Sequence, residues 1–276
     1  MGSGTRTVTS ADGTQIAYQR EGSGPAVVLV GGGLDDGSEN AVLLPGLAGE
    51  FTVYNYARRG RGGSGDTRPY AVERELEDLA ALLAAAGGTA HVFGASSGGA
   101  LALEAAAAGL PIARLVVYDV PYSVAEDAVE RWRAYRAELD QALAQGRSDD
   151  ALAAFMRLGG SSDEEIVGAR TAPFWDGLLA LAPTLAYDAE VLGDDGPPAA
   201  RLANIRQETM VLTRSTSDPY LPALPVDFFA AAAEAVATAL PHVVRRTIDA
   251  PGHAVDAAAV APPVRAFFAG EESQPT

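Results

Sequence analysis

The chain has 276 residues, 48% of them hydrophobic, enough to bury a full core as one domain or as one domain with an insertion. Its net charge of −16, with acids spread along the chain, favours solubility and argues against nucleic acid or an anionic membrane as a partner. The absence of cysteine and lysine excludes disulfides, thiolate nucleophiles, cysteine-ligated metals, Schiff-base chemistry and a phosphate-loop lysine.

No uninterrupted run of about 18 apolar residues occurs, so no transmembrane helix is predicted. The opening stretch MGSGTRTVTSADG lacks the apolar core of a signal peptide, and Met1 to Gly4 carry no functional weight. The expected compartment is the cytoplasm.

In chain order, TQIAYQRE (14–21) and AVVLV (26–30) read as strands, the second being the unbroken apolar run of a strand buried on both faces. FTVYNY (51–56) is a third strand, and ERELEDLAALLAAAG (73–87) spaces its leucines as an amphipathic helix does. AHVFG (90–94), the helix GGALALEAAAAG (98–109) and the strand RLVVYD (114–119) continue an alternation expected of an open, mostly parallel, twisted sheet with helices on both faces. From Pro121 to about Leu202 only helical pieces occur: EDAVERWRAYRAELDQAL, DDALAAFMRL, SDEEIVGAR and FWDGLLALA. Alternation then returns with TMVLT (209–213), a helix near 227–240, HVVRRTI (242–248) and a terminal helix near 255–268. The predicted organisation is one α/β core over 1–120 and 203–276, with a helical cap inserted at 121–202.

The segment Gly94-Ala95-Ser96-Ser97-Gly98 fits G-x-S-x-G between a strand and a helix. A sharp turn there would expose Ser96, with small neighbours to avoid collision, and the following helix would aim its N-terminal amides at the same place. A serine hydroxyl needs a base, and only His91, His242 and His253 are available. Chemistry in open α/β sheets gathers at the carboxyl ends of the strands. His253, in the loop IDAPGHAV after the last strand, is placed there, whereas His91 and His242 read as structural. Gly60-Arg61-Gly62-Gly63-Ser64-Gly65 matches G-x-G-x-x-G, but it follows an internal strand and does not open directly into a helix, so no dinucleotide site is assigned. The cap acids, Glu164-Glu165 and Asp194-Asp195 among them, and Asp227 and Asp249 read as solvated or capping groups.

Through VVLVGGG (27–33), YNYARRGRGGSG (54–65), FGASSGG (93–99), VVYDVPY (116–122) and PGHAV (251–255), the chain resembles the α/β-hydrolase superfamily over nearly its full length. That resemblance implies the α/β-hydrolase fold, Ser96 as nucleophile, His253 as general base and an intervening acid. It also implies an oxyanion site made by the amides of Ser97 and Gly33, with Leu34 an alternative to the second. Three departures stand out: Gly31-Gly32 replaces the usual His-Gly, Ala57 replaces an aspartate, and Arg214 replaces a glycine after the seventh strand. Two carboxylates compete for the acid. Asp119 after the sixth strand is preferred because it needs no register slip, and Asp218 is the alternative.

Leu34, Trp132, Phe155, Phe174 and Trp175 are predicted to line a substrate pocket between cap and sheet. The expected activity is cleavage of an ester, thioester or lactone in a moderately hydrophobic small molecule, without a cofactor or metal, by a monomer or homodimer. Non-hydrolytic use of the fold (lyase, cyclase, acyl transfer, cofactor-free oxygenation) and a non-catalytic small-molecule receptor remain alternatives.

Overall fold

A computed structural model describes residues 4–271; Met1–Ser3, given no functional weight above, lie outside the described residues. In chain order the core contains β1 (Arg6–Thr9), β2 (Gln15–Gly22), β3 (Ala26–Val30), a 3-10 turn (Asn40–Leu43) running into α1 (Leu44–Leu47), and β4 (Thr52–Tyr56). It continues with α2 (Val72–Ala85), β5 (Ala90–Ala95), α3 (Ser97–Ala107) and β6 (Ile112–Tyr118). Six helices follow: α4 (Glu126–Ala144), α5 (Ser148–Gly159), α6 (Asp163–Ala169), α7 (Trp175–Leu181), α8 (Leu185–Leu192) and α9 (Ala199–Leu202). The core closes with β7 (Glu208–Arg214), α10 (Val226–Ala239), β8 (Val243–Ile248) and α11 (Ala257–Ala269).

Among the described residues, eight strands form one sheet in the order β1-β2-β4-β3-β5-β6-β7-β8. Only β2 runs against the rest, pairing antiparallel with β1 and β4, so the sheet is mostly parallel. The strand β3 sits between β4 and β5, and its Val27 to Val30 are wholly buried. This is why its sequence is continuously apolar rather than alternating. By contrast β8, VVRRTI, is a sheet edge whose exposed arginines discourage further pairing. The two sheet faces bury separate apolar clusters, one under α2, α3 and the helical insertion, the other under α1 and α11. Three features escape the sequence reading: the short edge strand β1, the 3-10 turn and α1 between β3 and β4, and the helices α8 and α9 within the insertion. Among the described residues no helix is long and apolar enough to cross a membrane.

A buried ionic network ties the insertion to the sheet. Arg58, Arg59 and Arg61 follow β4 and are essentially inaccessible to solvent. Arg58 grips Glu75 of α2 with two hydrogen bonds of 2.7 and 2.6 Å, and donates a third of 2.7 Å to Asp188 of α8. Arg61 donates to the other Asp188 oxygen at 2.8 Å. Arg59 makes a similar fork to Asp78 on the same face of α2, at 2.8 and 2.7 Å. Glu75 also accepts 2.8 Å from Tyr70, whose ring stacks on Tyr187 of α8 at 3.8 Å between centroids. Asp188 is thus a correction to the reading of the cap acids as solvated or capping groups. It is buried because two guanidinium groups meet it there.

Burial works to raise Glu75 and Asp188, but Arg58 and Arg61 outweigh it and hold both carboxyls below the usual range. Stability carried by such a depressed group is complete above its unfolded value, about 4.3 for Glu, and drains as pH falls through the folded value. Glu75→Gln leaves Arg58 underpaired and is expected to cost about 3–5 kcal/mol at neutral pH. Urea unfolding from pH 7 to 3 should show that loss, together with a smaller further decline on acidification than in the parent protein. Asp35 and Glu39, raised by burial, act in the opposite direction and cancel in the comparison.

Candidate active site

The loops after β5, β6, β7 and β8 bring Ser96, Asp119, Asp218 and His253 to the carboxyl ends of the strands. Between β5 and α3 the chain turns so sharply that Ser96 adopts φ 54° and ψ −130°. A side chain rarely tolerates this region, and here the Ser96 N–H is held at 2.9 Å by the Tyr118 carbonyl of β6. Ser97 opens α3, so its amide has no intrahelical acceptor. Close approach explains one glycine: a β-carbon on Gly32 would stand 2.9 Å from the Ser96 Cβ. At Gly31, where the usual histidine is missing, the buried Asp35 carboxylate occupies the space a side chain would need.

His253 lies in the loop between β8 and α11. Its Nδ1 is 3.4 Å from Oδ2 of Asp119, which follows β6 with φ 46° and is buried. Asp218 does something different. Its Oδ2 accepts the main-chain N–H of His253 at 2.7 Å, and its Oδ1 accepts that of Tyr220 at 2.8 Å, so it braces the loop rather than the ring.

Arg214, the residue in place of the family-like glycine, is buried against the same group. Its main-chain N–H donates to Asp119 Oδ1 at 3.2 Å, and its guanidinium donates to Oδ2. The same Nη1 lies 3.5 Å from His253 Nδ1. The guanidinium also stacks on the Phe229 ring at 4.2 Å, and that ring lies 5.0 Å from His253. A carboxylate has acceptor positions for both partners. Asp119 is therefore shared between a fixed cation and the imidazole, and the sequence had marked Arg214 only as a departure.

A cavity of about 680 Å³ opens over these groups, with Ser96, Ser97, Gly33 and His253 in its wall. Leu34, Trp132 and Phe155 line it as expected from sequence. Phe174 and Trp175 do not: Phe174 is 57% exposed on the outside of the insertion, and Trp175 is buried in the insertion's own packing. The indole N–H of Trp132 donates to the Gly193 carbonyl at 2.6 Å, which fixes that wall. Met156 extends the apolar lining, as do Leu152, Leu221 and Phe228, which were not anticipated because their positions depend on how the helices dock.

Glu39 also reaches the cavity, and its Oε1 accepts the Val255 N–H at 3.3 Å. Burial and neighbouring Asp35 raise its carboxyl, while His253 opposes them. Glu165 reaches the rim too, where it forms a capping box with Ser162 at the start of α6.

The other histidines stand apart. His91 stacks on Phe268 at 4.8 Å and is pushed down to about 4 by burial and by Arg114, so it is a neutral core ring. His242 is exposed, and its carbonyl accepts the Thr209 N–H at 3.0 Å. The segment Gly60 to Gly65 closes on itself through a 2.9 Å bond from Gly60 N–H to the Gly65 carbonyl, well before α2 begins.

A model of the "Alpha/beta hydrolase family" matches residues 26–263. Among solved structures, an alpha/beta hydrolase from Sphaerobacter thermophilus DSM 20745 is 44% identical, covering 95% of this chain and 100% of that one, with a TM-score of 0.83. The esterase RhEst1 from Rhodococcus sp. ECU1013 shares the fold at 21% identity and a TM-score of 0.65, over 98% of this chain and 97% of its own. The "Uncharacterized hydrolase YraK" of Bacillus subtilis (strain 168) is 38% identical over 96 residues, 33% of this chain, and the match spans only 35% of that relative's length. With a family match over most of its length and a 44% identical alpha/beta hydrolase of the same fold, this chain belongs to the alpha/beta hydrolase family.

Proposed function

We propose that this protein is a serine hydrolase that cleaves an ester, thioester or lactone bond of a moderately hydrophobic small molecule. The observation carrying this reading is the strained Ser96 turn, bordering the same cavity as a histidine whose far nitrogen stands 3.4 Å from a buried aspartate. In this reading Ser96 Oγ attacks the acyl carbonyl while His253 Nε2 takes its proton. The resulting oxyanion accepts from the amides of Gly33 and Ser97. His253 then gives the proton to the departing alcohol or thiol, and water activated by the same nitrogen releases the acyl group from Ser96. The 3.4 Å contact supports Asp119 as the acid orienting the ring, and the main-chain bonds of Asp218 support a bracing role for it. The helical insertion acts as a cap whose largely apolar wall receives the substrate.

One observation favours a second reading. Arg214 already neutralises Asp119, which weakens the support that carboxylate gives an imidazolium and suits a small-molecule receptor without turnover.

Fluorophosphonate labelling with peptide mapping, paired with p-nitrophenyl butyrate hydrolysis, separates the two. One adduct per chain on Ser96, abolished in Ser96→Ala, is expected. Rates should fall by about 10³–10⁴ in His253→Ala and Asp119→Asn, and much less in Asp218→Asn. A folded wild-type protein that neither labels nor hydrolyses would overturn the hydrolase reading. A methyl group at Gly32 would press on Ser96, so Gly32→Ala should slow labelling about 10²-fold while its melting temperature stays within a few degrees.

A further inference from the structure

Three hydrogen bonds converge on the buried Asp188 carboxylate, from Arg58 at 2.7 Å, Arg61 at 2.8 Å and Ser97 Oγ at 2.7 Å. Each donor leads back to the loops beside Ser96. Arg61 also donates to the Gly32 carbonyl, and Arg58 to the Gly31 carbonyl at 3.3 Å. Ser97 is the residue whose amide begins α3. In a trans peptide the carbonyl of one residue and the N–H of the next point in opposite directions. Holding the Gly32 oxygen on Arg61 therefore turns the Gly33 N–H away from that arginine. Gly33 borders the cavity, and among the described residues its N–H has no protein acceptor.

We infer that Asp188 is a positioning residue: carried in by the helical insertion, it locks Arg61 and Ser97 so that the amides of Gly33 and Ser97 face the reacting carbonyl oxygen. This inference rests on the serine-hydrolase reading. A carboxylate near a developing oxyanion would by itself oppose it, but the four groups Glu75, Arg58, Asp188 and Arg61 balance two negative charges with two positive ones. Asp188 comes from α8, so the oxyanion site is complete only when the insertion is seated on the core. The insertion is then part of the catalytic machinery as well as the wall of the cavity.

The test is Asp188→Asn, which keeps the shape of the side chain and removes its charge. Losing one oxyanion donor outright costs about 10²–10³ in kcat, so a misaligned donor should cost about 10–10². The expected result with p-nitrophenyl butyrate is a loss of that size in kcat with KM nearly unchanged. Affinity for a trifluoromethyl ketone, which forms a hemiketal oxyanion on serine, should weaken by the same factor. The double variant Arg61→Met/Asp188→Asn preserves the Arg58–Glu75 balance, guards against misfolding, and should lose at least as much as Asp188→Asn but less than the product of the two single losses. Folded variants with wild-type kcat and ketone affinity, or with the loss confined to KM, would overturn the inference.

Hydrogen exchange over residues 26–34 reads the clamp without reference to catalysis. Faster exchange in Asp188→Asn is expected, and unchanged exchange would refute the clamp. If the wild-type protein fails to label at Ser96, the hydrolase reading falls, and the exchange result alone then decides whether Asp188 holds the loop.

Discussion

Two carboxylates and two guanidinium groups packed out of water impose the constraint on which the rest of the site depends. Glu75 of α2, Arg58 and Arg61 after β4, and Asp188 of α8 come from three separate parts of the chain. A charge left alone in such a place costs several kcal/mol, so the four groups must assemble together. Once assembled, they set the distance between α2, the loop after β4 and the insertion. The spare hydrogen-bonding capacity of the two arginines then falls on the carbonyls of Gly31 and Gly32. The network that seats the insertion therefore also shapes the backbone beside Ser96.

The imidazole stands beside a second buried charge pair. Asp119 and Arg214 are joined by a main-chain and a side-chain hydrogen bond, and His253 approaches the same carboxylate oxygen. Stacking of Arg214 on Phe229, and of Phe229 near His253, fixes the order of these layers. Asp218 contributes by holding the main chain of His253. Placement of the imidazole thus rests on two aspartates acting on different atoms. The proposed reaction inherits a ring that is firmly held but shares its carboxylate with a permanent cation. That sharing distinguishes this site from one in which the aspartate serves histidine alone.

Much of this architecture was legible in the residues. The strands β3, β5 and β6 are apolar runs because both sheet faces are covered, and the turn at Ser96 is announced by its small neighbours. His253 could be chosen over His91 and His242 from its place after the last strand. The edge strand β1 was missed because RTVT is short, has no buried residue and is held only by pairing with β2. Phe174 and Trp175 were misplaced because aromatic residues on short helices signal burial without saying on which side. Asp188 looked like any other acid of an acidic chain, since the arginine that buries it lies 130 residues earlier.

The sequence by itself determined the alternation of strands and helices, the sharp serine turn and the histidine that follows the last strand. These depend on local backbone needs and on apolar periodicity, both written in neighbouring residues. Only the tertiary structure decided which aspartate stands beside the imidazole, which aromatic residues face the cavity, and that Arg58, Arg61 and Arg214 are buried. Those outcomes turn on which distant charge or surface each side chain meets. Burial of a charge is governed by the partner that neutralises it, and no local pattern names that partner.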